Sequence, residues 1–451
     1  MQYPMRPRPK ISTPHPEPVT AGTDPSVPIN PLYRLKLKEL WAQFKKEGPA
    51  FAMICGYLII EYVRPQAIFP VLEIIPWGLL TLLLGLLFRL FEKNATFVND
   101  GTNYLVILFN LVILASCLNA QNPAISWANI QICYYWLIIY FLVTNIVTNE
   151  ARLLLFIGVF LLASAKLSFS LARIWAMRGF AFTNWGLQGP GGFLTNSGEL
   201  SIQMLVYAPL ALFLALFFRS YISKWMYRFL LLMPITAVMV VLGASSRGAQ
   251  VAMAYQFYPT LLKGRVSLRN LLLAGVVGYV AFLAIPDAQM VRFTSAGDDQ
   301  TSQQRLLYWT RGIEMIQSHP VLGVGLRNFP SYFEQHYPQD MLYAHAQLPH
   351  NIFIEVGTDA GYLGLGLFFA LIIKTMLLAR RVHRIAKHPA MAGYMYIPVA
   401  RGLMAALWGY LIAGQFVTVT YYPFFWVNLA MMVCLANVTA QTARAKGLSV
   451  D

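Results

Sequence analysis

Charge is scarce in this chain. Only 12% of its 451 residues are Asp, Glu, Lys or Arg, against about a quarter in soluble domains, which excludes an ordinary water-soluble globule. Cysteine is scarce as well. Cys55, Cys117, Cys133 and Cys434 all lie in apolar runs, with no Cys-x-x-Cys and no Cys/His metal spacing, and read as small buried hydrophobes. A phosphate-binding lysine loop, a Gly-x-Ser-x-Gly elbow, an Asp-x-Asp and an Asp/Glu/His metal cluster are all missing. Recognisable ATP binding is thereby excluded, and no metal or cofactor is expected. The short alternating segments of a β-barrel are missing too.

What the chain has in excess is apolar length. It is 57% hydrophobic, with a mean hydropathy of +0.53 and repeated apolar runs near 20 residues, which predicts an all-α polytopic membrane protein. About 12 transmembrane helices are expected, at 49–63, 69–88, 103–120, 127–147, 151–172, 197–218, 227–244, 247–262, 270–286, 351–378, 401–419 and 423–441. The expected organisation is a disordered, basic, Pro-rich cytosolic tail over 1–48 that ends in an amphipathic lead-in, and spans 1–9 over 49–286. A large loop over 287–350, spans 10–12 over 351–441 and a C-terminal tail over 442–451 complete it. The opening residues do not read as a cleavable signal peptide, and no internal repeat is visible.

The net charge of +15 sits mostly beside spans, so membrane orientation explains it better than nucleic-acid binding. With the N-terminus in the cytosol, most Lys and Arg fall on the cytosolic side, in the tail and near Arg89, Arg152, 219–228, 263–269, 374–401 and the C-terminus. Both termini are then cytosolic, and the 287–350 loop lies in the periplasm of a bacterial inner membrane. Tyr421, Tyr422, Phe424, Phe425 and Trp426 are expected as an outer interface belt.

The 287–350 loop is about 64 residues long, far more than a turn needs. It carries Arg292, Arg305, Arg311 and Arg327 and four of the seven histidines, His319, His336, His345 and His350. Arg305 and Arg311 lie on a stretch with apolar residues at helical spacing, Leu306, Trp309, Ile313 and Ile316, which predicts an amphipathic surface helix. Arg247 sits between two apolar helices in Ser245-Ser246-Arg247-Gly248. It reads either as a snorkelling arginine or as a planar donor fork for phosphate oxygens. His350 ends the loop beside Asn351, where it can cap the next helix or take a proton from a hydroxyl. Glu355 and Asp359 follow one turn apart on one helix face. A second outer loop, Gly186 to Glu199, is rich in glycine and leads Asn196 and Glu199 into a span. A catalyst without nucleotide or metal needs a pre-activated donor, and a lipid-linked diphosphate sugar meets that need.

The order Ser-Ser-Arg247-Gly, then Arg305 with Trp309 and a downstream Gly-Val-Gly, then His350-Asn351 with Gly361-Tyr-Leu-Gly resembles the O-antigen ligase and polymerase superfamily, most strongly over 190–420. The Glu61-Tyr-Val-Arg64-Pro-Gln segment is similar to an N-terminal form found there. The resemblance implies a GT-C-like fold and a metal-independent, inverting glycosyltransferase. Such an enzyme moves a glycan from an undecaprenyl-diphosphate carrier to an acceptor hydroxyl, such as lipid A-core. Carried over by residue, Arg247 and Arg305 engage the diphosphate and His350 activates the acceptor. Arg64, Asn196, Glu199, Arg311, Arg327 and Asn351 are expected at the substrate. The interval from Arg247 to Arg305 is shorter than in lipopolysaccharide ligases, which keeps a polymerase of the same superfamily open. A transporter or flippase remains as a third reading. It would place ionisable groups at mid-membrane and show paired repeats.

Overall fold

The computed structural model describes residues 29–92, 97–182, 186–262 and 299–450. The tail over 1–28, the expected span at 270–286, the basic group at 263–269 and the loop's first part with Arg292 lie outside the described residues. All regular elements among the described residues are helical. Eight helices are long and apolar enough to cross a membrane.

A short amphipathic helix, α1 (Leu37–Lys46), leads into α2 (Pro49–Val63). Then come α3 (Trp77–Leu90), α4 (Gly101–Leu118), α5 (Pro123–Ile146), α6 (Glu150–Met177), α7 (Ser197–Phe218), α8 (Lys224–Gly243) and α9 (Arg247–Leu262). The polar region holds α10 (Gln300–Ser318) and α11 (Phe329–His336). The bundle closes with α12 (Ile352–Ala386), α13 (Tyr396–Ala413) and α14 (Pro423–Ala445). Two expectations shift. The second span starts at Trp77 rather than 69, because Pro70 and Pro76 confine 70–74 to a 3-10 turn. The eleventh ends at Ala413 rather than 419, because Gly414 gives its carbonyl to Ile352 N at 2.9 Å.

α14 is the central pillar, with nearly all of it buried. Its first residues are therefore core rather than an interface belt: Phe424, Phe425 and Trp426 are buried, as is Tyr421 just before them. Trp426 stacks on Trp136 with centroids 3.7 Å apart, and its indole N–H is satisfied by Thr420 O at 3.0 Å.

The two ends of the bundle differ in chemistry. At one end Arg152 reaches Glu47 at 2.8 Å and Glu92 at 3.0 Å, beside the Arg89–Glu92 pair. Arg219, Arg228, Arg381, Arg384 and Arg444 belong to the same helix ends. The polar region 299–350 caps the opposite end, together with the loops at 64–76, 186–196, 243–247 and 414–422.

The polar region is anchored in a break in α12. Gly361 adopts φ 63°, ψ −164° within that helix, and the 319–328 segment fills the gap. Tyr362 N donates to Pro320 O at 2.7 Å and Val324 N to Thr358 O at 2.7 Å. A Cβ on Gly361 would stand 2.4 Å from Val321 O. Within the Gly-Val-Gly stretch, Val324 thus spends its amide on the broken helix, while Gly323 N donates to His319 O at 3.0 Å. Gly361→Ala should cost about 1–3 kcal/mol from backbone strain, before the clash is added. The expected readout is a lower Tm in detergent with earlier proteolysis within 299–350. A Tm equal to wild type would show that the break tolerates a side chain.

Candidate functional site

α10 supplies one wall of the site. Asp299 caps it by accepting from Ser302 N, and Ser302, Arg305 and Trp309 follow at spacings that share one face. The buried face differs from the one expected: Gln304, Tyr308, Gly312, Met315 and Ile316 face the protein, while Leu306 and Ile313 are exposed. Backbone proximity decides this. A Cβ on Gly312 would lie 2.4 Å from Ile354 Cγ2, so α10 seats against α12 along its glycine. Tyr308 is accommodated because its hydroxyl accepts from Gln347 N at 2.8 Å.

The 340–350 segment is laced to this helix. Leu342 N donates to Gln304 Oε1 at 2.5 Å, Gln300 Nε2 to Leu342 O at 2.5 Å and Trp309 Nε1 to Pro349 O at 2.9 Å. His350 follows, held at φ 51°, where non-glycine residues are uncommon. Its backbone N–H donates to Thr418 Oγ1 at 3.0 Å, which the early end of α13 makes possible. Its Nε2 lies 3.2 Å from Gln347 Oε1. That oxygen can only accept, so the proton sits on Nε2 and Nδ1 is the basic nitrogen. Burial and, next, the positive charge of Arg305 push the imidazole down to about 4, so it is neutral at pH 7.

Arg305 is itself partly buried. Burial and then the nearby Arg247 guanidinium lower its basicity from the ordinary arginine value, while Asp299 offsets part of this. Its Nε is buried with no acceptor among the described residues, an unmet donor of the kind an anion satisfies. Arg247, from the start of α9, pairs with Asp299 at 3.0 Å and reaches Ser302 Oγ at 3.4 Å. Gly248 beside it lets Phe416 approach, since a Cβ there would lie 2.5 Å from that ring. Asp299 was not anticipated. The signal for it was its place as an acidic cap three residues before Ser302.

The structure thus gathers Arg247, Arg305 and His350 at one rim. The other expected residues divide. Arg64, at φ 52°, lies across Gly191 and Gly192, and its Nε is buried without an acceptor among the described residues. Asn196 and Glu199 form a capping box that starts α7. Asn351 caps α12, accepting from Phe353 N at 2.9 Å and Ile354 N at 3.3 Å. Arg311 is turned into the loop, where it pairs with Asp340 at 2.6 Å and Glu314 at 2.9 Å and lies over Tyr337. Arg327 pairs with Glu355 at 3.3 Å, donates its backbone N–H to Asp359 Oδ1 at 3.0 Å and covers Tyr421. Glu355 and Asp359 are fully buried. Those two arginines therefore hold the polar region together and to the bundle. Among the described residues, no group of three or more His, Cys, Asp or Glu stands together as a metal site.

A family model described as O-antigen ligase matches residues 191–369. The chain carries an O-antigen ligase domain. That stretch of the chain is similar to the O-antigen ligase family. No curated protein matches it. The O-antigen ligase domain contains Arg247, Arg305 and His350. Thr418, which accepts from the His350 N–H, lies outside the matched residues, as does Arg64.

Proposed function

We propose that this protein is an inverting, metal-independent glycan ligase acting on the periplasmic face of a bacterial inner membrane. Its donor is a glycan on undecaprenyl diphosphate and its acceptor a hydroxyl of lipid A-core or a comparable glycan. The observation that carries this reading is one arginine serving two groups. Arg305 offers an unmet buried donor, among the described residues, to an anion, and its charge adds to burial in lowering the basicity of His350. The orientation is supported by the basic residues at the end away from the site, Arg89, Arg152, Arg219, Arg228, Arg381 and Arg444. Both termini then lie in the cytosol.

In this mechanism the acceptor oxygen attacks the anomeric carbon and forms the new glycosidic bond. The carbon–oxygen bond to the diphosphate breaks, and the leaving group takes the electron pair. The acceptor proton goes to His350 Nδ1. Arg305 and Arg247 stabilise the charge that grows on the diphosphate, with Asp299 holding Arg247 in place. A single displacement inverts the anomeric centre.

The donor also tunes its own base. A diphosphate at Arg305 offsets the charge that adds to burial in depressing His350, so the imidazole becomes more basic once the donor is bound. The acid limb of kcat/KM, which reports the protein before donor binding, should fall near pH 4, and the limb of kcat at higher pH. The sign follows from protonation: below each limb His350 is imidazolium and cannot accept the proton. Coincident limbs near 6.5 would refute this coupling.

A polymerase of the same superfamily is supported by the short interval from Arg247 to Arg305. Purified protein in liposomes, given lipid-linked repeat units alone, separates the two. The ligase reading expects product only when a separate acceptor is added, and chain growth without one would overturn it.

A further inference from the structure

Far from the site, α1 is built as a strap. At its start Tyr33 hydrogen-bonds Glu150, and at its end Glu47 is clamped by Arg152, which donates to the Glu47 carboxylate at 2.8 Å and to its carbonyl at 2.9 Å. Between these ties the helix carries Leu37, Leu40, Trp41 and Phe44 on one face. That spacing is the apolar stripe of a helix lying on a core or in a bilayer. Trp41 stacks on Phe44 with centroids 5.6 Å apart.

The stripe packs on the core only through Leu40 and Phe44, the latter against Phe51 with centroids 5.7 Å apart. It roofs a cavity of about 660 Å³ whose other walls are the neighbouring halves of α2, α6, α7 and α8, with Cys55, Gly158, Leu214 and Met233 among the lining. That volume lies within the roughly 300–1,000 Å³ of small-molecule sites. The lining is almost wholly apolar. Leu37 and Trp41 remain 78% and 60% exposed, so an apolar chain can reach them from the bilayer. The polar face of α1 carries Lys38, Lys45 and Lys46, with Lys36 just before it. Lys224 and Arg228 stand at the start of α8 near the same mouth, where Met226 and Phe229 join the lining.

We propose that α1 and this cavity bind one anionic phospholipid of the cytosolic leaflet, an acyl chain beneath the strap and the phosphate against the lysines. The leaflet rests on the orientation proposed above, whereas the binding itself does not depend on the glycan chemistry. An apolar cavity at membrane depth selects a chain, and a basic rim selects a negative headgroup over a zwitterionic one. The lipid would bridge the strap to α6 and α8 where protein side chains leave a gap.

Trp41 reports occupancy directly. The protein is placed in nanodiscs with phosphatidylglycerol or phosphatidylcholine brominated on the acyl chain. The Trp41 component of quenching is the difference between the protein and Trp41→Phe. Phosphatidylglycerol should quench this component at least about fivefold more effectively. A Cβ on Gly158 meets nothing within 4 Å, so Gly158→Leu projects into the cavity without a backbone clash and should diminish the preference. The exposed triple variant Lys38→Gln, Lys45→Gln, Lys46→Gln should equalise the two lipids while retaining quenching. Equal quenching in the wild type, or an undiminished preference in Gly158→Leu, would overturn the proposal. Stronger quenching by a brominated isoprenyl phosphate than by phosphatidylglycerol would overturn the phospholipid assignment. Glycan transfer plays no part in these readouts, so the site could stand or fall independently of the ligase reading.

Discussion

Arg305→Ala should lower glycan transfer from the lipid-linked donor by about 100- to 1,000-fold, the range for removing one preorganised donor from a developing oxyanion. Among the described residues the buried Nε has no acceptor, so an anion that reaches it meets an unspent donor. Arg305→Lys should recover only a small part of the rate. An ammonium keeps the charge but presents a point donor in place of a planar fork. Its folding should be intact, because the contacts that seat α10 run through Gln304, Tyr308, Trp309 and Gly312 instead. Lysine activity equal to wild type would show that charge alone suffices and would remove the bidentate contact. The same pair of variants tests the coupling to the base. Arg305→Ala removes the positive charge beside His350, so its residual activity should show the acid limb of kcat/KM displaced upward from about 4.

The second large effect is expected at His350. His350→Ala should reduce transfer by about 100- to 10,000-fold, the usual worth of a positioned general base, while donor binding to Arg305 and Arg247 persists. His350→Gln is the more informative variant. It keeps a polar side chain near Gln347 but cannot take the acceptor proton. Both should express and insert normally, because the backbone N–H that ties this position to Thr418 remains. Wild-type product levels in either strain would take His350 out of the mechanism. A loss of donor binding in His350→Gln would instead assign it to positioning of the donor.

Much of this site was legible before the fold. Arg247, Arg305 and His350 were marked by residue type, by the length of the polar region and by motif order, and the structure brings them to one rim. What the pattern could not show was how each neighbouring charge is used. Arg311 and Arg327 look like Arg305 in sequence, since all three sit in one polar region. In the fold Arg311 spends its fork on Asp340 and Glu314, and Arg327 faces Glu355. Glu314 lies at the helical i,i+3 spacing from Arg311, but Asp340 is 29 residues from Arg311 and Glu355 is as remote from Arg327, at spacings that carry no local signal. The face of α10 was misplaced for a similar reason. Periodicity weighs the apolar side chains Leu306 and Ile313, but a glycine at 312 allowed a closer approach to Ile354 and so decided which side is buried.

Composition and hydropathy by themselves determined that the chain is a helical membrane protein with one end richer in base. That follows because a bilayer leaves no solvent for backbone amides and only helices satisfy them along a single segment. Tertiary structure alone decided which carboxylate Arg247, Arg311 and Arg327 each meet, because that meeting depends on distances only the packed chain defines. The break at Gly361, the early end of α13 at Gly414 and the Asp299 contact to Arg247 are of this kind. Each is a backbone or side-chain group that finds its partner across the fold, where no period or motif reaches.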